Sequence, residues 1–223
     1  MQQQLLLALR EPPPPSLDNF VPGGNAAALV ALRAFGDDAR LMSLYLWGGR
    51  GSGRSHLLRA WCAARGGRYV DARLQSDLDG IAAGAHLALD NCEALNEAGQ
   101  IALFNLYNQA RESAGFVLTS GPLPAPQLRL RADLQSRLAW GLSLEVAPLT
   151  DAEKHAALQA HAQARGMRLP DELVAYMLTH VRRDMPTLMH MIDALDAASL
   201  TAKRPITLPL LRELLSETSS LSL

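Results

Sequence analysis

The sequence predicts a parallel α/β sheet covered by helices, followed by a small all-helical domain. Three observations carry this expectation. Apolar, strand-like runs alternate with helical ones between residues 41 and 118, the pattern of strands joined by crossover helices. Gly48-Gly49-Arg50-Gly51-Ser52-Gly53-Arg54-Ser55 joins the first of these strands to the helix after it, as a phosphate-binding loop does. Beyond Pro148 the strand signal ends and helix-initiating patterns follow one another.

In chain order, residues 4–9 (Gln4-Leu5-Leu6-Leu7-Ala8-Leu9) form an apolar segment with no core of its own. Arg10-Glu11 and the four prolines from Pro12 to Pro15 hold it away from the body as a stiff, exposed spacer, because proline fixes φ and removes an amide donor. Residues 25–35 suit a helix capped by Asn25, and residues 41–47 a strand leading into Gly48. A helix over 56–65, strands over 68–70, 86–89 and 116–118 and a helix over 101–111 complete the alternation. Thr150-Asp151-Ala152-Glu153 is a capping box opening a helix to about Arg165. Pro170-Asp171-Glu172, Asp184-Met185-Pro186 and Leu208 begin the remaining helices. The expected organisation is a docking tail and spacer over 1–15, an α/β nucleotide-binding domain over 16–148 and a helical lid over 149–223.

With 223 residues, 48% of them apolar, the chain can bury one good core and a smaller second one. Its net charge of −1, without a Lys/Arg cluster, argues against tight DNA binding of its own. Cys62 and Cys92 have no paired-ligand spacing and suit buried thiols in a reducing compartment. The N-terminus lacks a basic leader, and no run reaches membrane-spanning length, so a cytoplasmic location is expected.

The chemistry concentrates at the loop. Its glycines let successive backbone amides turn towards an anion, and the following helix presents its positive end to the same phosphates. Arg54 stands where the usual pattern has lysine; its planar fork suits a diphosphate but is no compact point charge, so nucleotide binding with poor hydrolysis is expected. Gly48, Gly51, Ser52, Gly53, Arg54, Ser55 and His56 form the expected cofactor-binding set, with Ser55 and Asp90 as Mg2+ positions. Asp90 ends an apolar strand, and a turn or capping role is its simpler alternative. Asn91 follows it where an active ATPase commonly has a second acid, and an amide cannot act as that base; Glu93 lies displaced by two residues. Thr119 and Ser120 end the next strand, where either hydroxyl can sense a terminal phosphate or simply make the turn into Gly121-Pro122. Arg137 is placed to enter a neighbour's nucleotide site, and Arg183 to reach phosphates from the helical domain; for both, a plain surface charge is the competing reading.

On these residues the chain resembles the AAA+ ATPase domain of the bacterial replication initiator DnaA and, within that family, its Hda-type regulators. Leu17-Asp18-Asn19-Phe20-Val21-Pro22-Gly23 looks like the segment that opens the initiator's nucleotide-binding domain, and the arginine-bearing loop is similar to that of the regulators. Ser136-Arg137-Leu138-Ala139-Trp140-Gly141 is similar to the arginine-finger box, and Arg183-Asp184-Met185 to the second sensor segment, whose usual arginine position falls here at His190-Met191. Residues 4–9 resemble a sliding-clamp-binding peptide in which Gln4, Leu5, Leu7 and Leu9 make the contacts. The resemblance implies an AAA+ fold with bound ADP or ATP and Mg2+. It also implies DnaA and the DNA polymerase III sliding clamp (beta subunit) as partners, and Arg137 as the catalytic residue towards the initiator's ATP. Without the initiator's helix-turn-helix domain, no sequence-specific DNA binding is expected. A second copy of the chain could cover the apolar tail as a homodimer. A helicase-loader-like AAA+ protein, a small-molecule kinase and a clamp adaptor with a purely structural nucleotide are the rival functions.

Overall fold

In the computed structural model, which describes residues 13–37, 41–82, 84, 86–113 and 115–219, the alternation of side chains along the strands sets two layers of helix around one sheet. Strand β1 (Ser43–Trp47) turns Leu44 and Leu46 to one face and Tyr45 to the other. Strand β3 (Leu87–Asp90) likewise splits Ala88 from Leu87 and Leu89, and β4 (Val117–Gly121) splits Leu118 from Val117. Such near-continuous apolar runs are what a strand buried on both faces needs.

With β2 (Arg68–Asp71) and β5 (Leu142–Glu145) the sheet has the order β2-β3-β4-β1-β5, every pair parallel. The first face is covered by α1 (Ala26–Ala34) and α2 (Arg54–Arg65), through Ala28, Leu32, Leu57, Leu58 and Trp61. The opposite face is covered by α3 (Glu97–Ser113) and α4 (Ala132–Trp140), through Leu103, Tyr107, Leu134 and Leu138. Trp61 is fully buried, and its indole nitrogen donates to the Phe35 carbonyl at 2.9 Å, so its one polar group is satisfied.

Two elements go beyond the sequence expectations. The segment carrying Arg137 is helix α4, and the residues after it form the edge strand β5, whose alternating half-buried pattern gives little apolar signal. Asn25 does not cap α1 with its side chain. Its amide instead donates to the Ala147 carbonyl at 2.9 Å while its oxygen accepts from the Ala147 amide at 2.8 Å, tying the start of α1 to the chain leaving β5. Cys62 and Cys92 are free, buried thiols, and burial pushes Cys62 up to about 11.

The chain divides into two compact units, Pro14–Pro148 and the segment from Leu149 onward. The second contains α5 (Asp151–Ala164), α6 (Asp171–His180), α7 (Met185–Ala202) and α8 (Leu208–Ser219) around Leu158, Leu173, Met177, Ile192, Leu195 and Leu211. Thr150 and Glu153 form the expected reciprocal capping box at the start of α5. Asp184 caps α7 by accepting from the Thr187 amide at 3.0 Å, with Pro186 in the first turn. Among the described residues, no helix is long and apolar enough to cross a membrane.

Candidate nucleotide-binding site

The glycine-rich loop leaves the C-terminal end of β1, a central strand, which is where open parallel sheets bind ligands. Its start is anchored on both sides. The Gly48 amide donates to the Gly121 carbonyl at 3.2 Å, and the Val146 amide after β5 donates to the Trp47 carbonyl at 2.7 Å. Gly48 lies so close to the Val146 carbonyl that a Cβ there would overlap its oxygen. Gly53, the residue before α2, has φ +97°, and a Cβ on it would press into the Phe20 ring at 2.8 Å. Phe20 and Leu17 both pack on the α1/α2 core, so the segment before α1 lies over the loop's exit.

Two polar groups of the loop are buried without a hydrogen-bond partner among the described residues: Ser52 Oγ and Arg54 Nη1. Ser52 is only 5% exposed. An orphaned hydroxyl and a guanidinium N–H in one short loop each cost free energy unless a ligand satisfies them, and both suit phosphate oxygens. The Arg54 charge reaches Tyr45 and Cys92: burial drives both groups up, and Arg54 opposes the rise. Ser55, in the first turn of α2, is exposed.

His56 Nε2 pairs with the Ser16 carbonyl at 2.9 Å, and its ring lies 5.6 Å from that of Phe20. It thus fastens the opening segment to α2. Burial lowers its pKa, with the Ser16 hydrogen bond partly opposing. A folded-state pKa below the unfolded one means that the unfolded chain takes up the proton first. Stability is then full above the unfolded value of 6.5 and falls as the pH drops towards the folded value. Urea midpoints at about pH 7.5 and about pH 5.5 should show this loss, at most about 1.4 kcal/mol per pH unit, and His56→Gln should remove its share.

Asp90 is 1% exposed. One carboxylate oxygen accepts from the Ser120 hydroxyl and from the Asn91 amide at 3.0 Å, and the other accepts from the Tyr69 hydroxyl at 2.9 Å. Tyr69 stays a donor, since burial, then the Asp90 charge, push its pKa up to about 12. Asn91 has left-handed backbone angles, φ 56° and ψ 49°, and its side-chain amide donates to Asp71 at 2.9 Å. Glu93 meets Arg73 at 3.4 Å, while its Oε2 is buried without a partner among the described residues. The two candidate sensor hydroxyls part company. Ser120 joins Asp90 at the strand ends, whereas Thr119 turns away and pairs with the Tyr107 hydroxyl at 3.0 Å inside the α3 core. Arg183 pairs with Asp151 at the start of α5, within the helical unit. Gln4, Leu5, Leu7 and Leu9 lie outside the described residues.

Arg137 sits in the last turns of α4, its guanidinium 5.4 Å from the centre of the Phe104 ring and 5.2 Å from that of Trp140. No carboxylate pairs with it among the described residues. Trp140 is 60% exposed. The helix ends at Gly141, packed against Ser43 at the start of β1, while the loop begins after Trp47 at the strand's other end. Four residue steps at about 3.3 Å each separate these sheet edges by roughly 13 Å. The C-terminal end of α4, one turn beyond Arg137, therefore lies at the sheet edge opposite the phosphate loop. The i+3 spacing of Trp140 was legible in the sequence, but Phe104, Tyr69 and Phe20 join these sites only through tertiary packing.

A parallel sheet whose central strand runs into a glycine-rich loop, with an acid ending β3, a hydroxyl near the end of β4 and a separate helical unit, has the P-loop fold of the AAA+ type. Residues 151–215 match the family model described as Hda, lid domain. Domain III of the Thermotoga maritima replication initiation protein DnaA is similar in fold, at 20% identity, covering 92% of this chain and 97% of that one with a TM-score of 0.64. AMPPCP-bound DnaA from Aquifex aeolicus is 21% identical over 82% of this chain and 65% of that one, also with a TM-score of 0.64. A mutant of Thermotoga maritima RuvB follows at 17% identity, covering 91% and 72% of the two chains, with a TM-score of 0.61. The helical segment thus matches the Hda lid domain, and the chain as a whole shares the fold of these DnaA and RuvB structures. It spans about 65% of the length of the AMPPCP-bound DnaA.

Proposed function

We propose that the chain is a negative regulator of replication initiation that promotes hydrolysis of ATP held by DnaA. It binds an adenine nucleotide, ADP in its working state, at the loop over residues 48–55, with Ser52 and Arg54 meeting the phosphates. It docks on the DNA-loaded sliding clamp through Gln4, Leu5, Leu7 and Leu9, and offers Arg137 to the initiator's nucleotide. Arg183 is an additional contact to its own nucleotide if the Asp151 pair opens. The observation that carries the reading is the placement of Arg137: a cation held on two aromatic rings, with no carboxylate partner among the described residues, on a helix whose end lies at the sheet edge opposite the phosphate loop. A finger acts on charge developing across an interface and must arrive unpaired. The chain's own hydrolysis is weak on this reading, because Asn91 cannot serve as a base and Arg54 replaces the usual lysine.

The test is hydrolysis of DnaA-bound ATP with clamp loaded on DNA, with and without this chain. Stimulation is expected, and Gln4→Ala plus Leu5→Ala should reduce it to the level seen without clamp. Absence of stimulation by the intact chain overturns the proposal. Binding to a replicative helicase instead would favour the helicase-loader reading.

A further inference from the structure

A magnesium ion beside a phosphate loop needs oxygen ligands in near-octahedral order, usually with a carboxylate held free at the end of a neighbouring strand. The residues here fit that demand poorly. Asp90 is the carboxylate in the right place, yet Ser120, the Asn91 amide and Tyr69 occupy three of its roughly four acceptor positions, and the group is almost wholly buried. Asn91 is neutral and turned to Asp71. A positive charge, moreover, is already present. Arg54 brings a guanidinium with a buried, unpartnered N–H into the loop.

Resting on the reading that the loop binds nucleotide, we infer that a diphosphate is held there without a magnesium ion, its charge met by Arg54, Ser52 and the loop amides, and that Asp90 is a buried acceptor fixing Ser120 and Asn91. Arg54 thereby takes over the neutralising role of the metal. Its fork can address two phosphate oxygens at once, and the loop amides need no cation to donate.

The experiment is titration of the full chain with a fluorescent ADP analogue in excess Mg2+ and in excess EDTA. The two dissociation constants should agree within about threefold. Tyr69→Phe combined with Ser120→Ala frees both Asp90 oxygens, and this variant should bind the analogue about tenfold or more tightly with Mg2+ than with EDTA. Weakening of the unaltered chain by about tenfold or more in EDTA would overturn the inference while leaving nucleotide binding intact. Absence of binding in both buffers would instead remove the nucleotide reading and this inference with it. If the double variant unfolds, the comparison on the unaltered chain still decides.

Discussion

Replacing Arg137 with alanine is expected to reduce the hydrolysis of DnaA-bound ATP stimulated by this chain by about 10³-fold or more, the range an arginine finger supplies to a partner's site. The chain itself should stay folded. Arg137 contributes cation–π contacts to Phe104 and Trp140, worth about 0.5–1 kcal/mol each at an exposed position, and no ion pair among the described residues is lost with it. A melting curve should therefore shift by only a few degrees while the stimulated rate collapses. Clamp capture and nucleotide titration should be unchanged, because residues 4–9 and the loop are untouched. Arg137→Lys sharpens the test: it keeps the charge but loses the planar fork and the ring stacking, so it should recover only part of the rate. A clamp adaptor with a merely structural nucleotide predicts no change in rate for either variant. The stimulated rate is the measurement that separates the two.

The fold was legible where the sequence carries strong local pattern. The run before Gly48, the glycine loop itself and the capping box at Thr150 are local signals, and each forms where its residues predict. Strand β5 and helix α4 were less visible for a physical reason. An edge strand of alternating half-buried residues has no continuous apolar run, and α4 is a short helix without a capping side-chain bond. Asn25 shows how a good local rule loses to tertiary context: a residue suited to capping spends both ends of its amide on Ala147, 122 positions away. At the site, residue types pointed to phosphate chemistry, but partner assignments did not follow from spacing. Register places Tyr69 beside Ala88 in the neighbouring strand, and only that pairing brings its hydroxyl to Asp90. The same holds for Thr119 and Ser120. Adjacent in sequence, they face opposite ways because side chains alternate along a strand, so one pairs with Tyr107 in the core and the other with Asp90.

Gly48→Ala should be strongly damaging to the nucleotide-binding unit, and its neighbour provides the control. A methyl group at Gly48 would overlap the Val146 carbonyl oxygen, a backbone atom held by the Val146 amide's bond to Trp47 and next to the Ala147 pair with Asn25. Backbone fixed on both sides cannot yield cheaply. Relief requires the loop to lift from β5 and forfeit the Gly48 bond to Gly121, so a destabilisation of about 3–4 kcal/mol is expected, at the upper end for a single substitution. At Gly49 the added methyl meets only Pro148 Cγ at 3.9 Å, an ordinary contact, and φ there is not in the left-handed region. Gly49→Ala should change stability by no more than about 0.5 kcal/mol. Urea unfolding of the two variants checks the contrast, and titration with an ADP analogue extends it. Lifting the loop misplaces the amides and Ser52 together, so Gly48→Ala should lose nucleotide affinity even below its unfolding midpoint, whereas Gly49→Ala should retain most of it. Equal effects at both positions would mean that glycine content, and not the close approach to Val146, is what this loop requires.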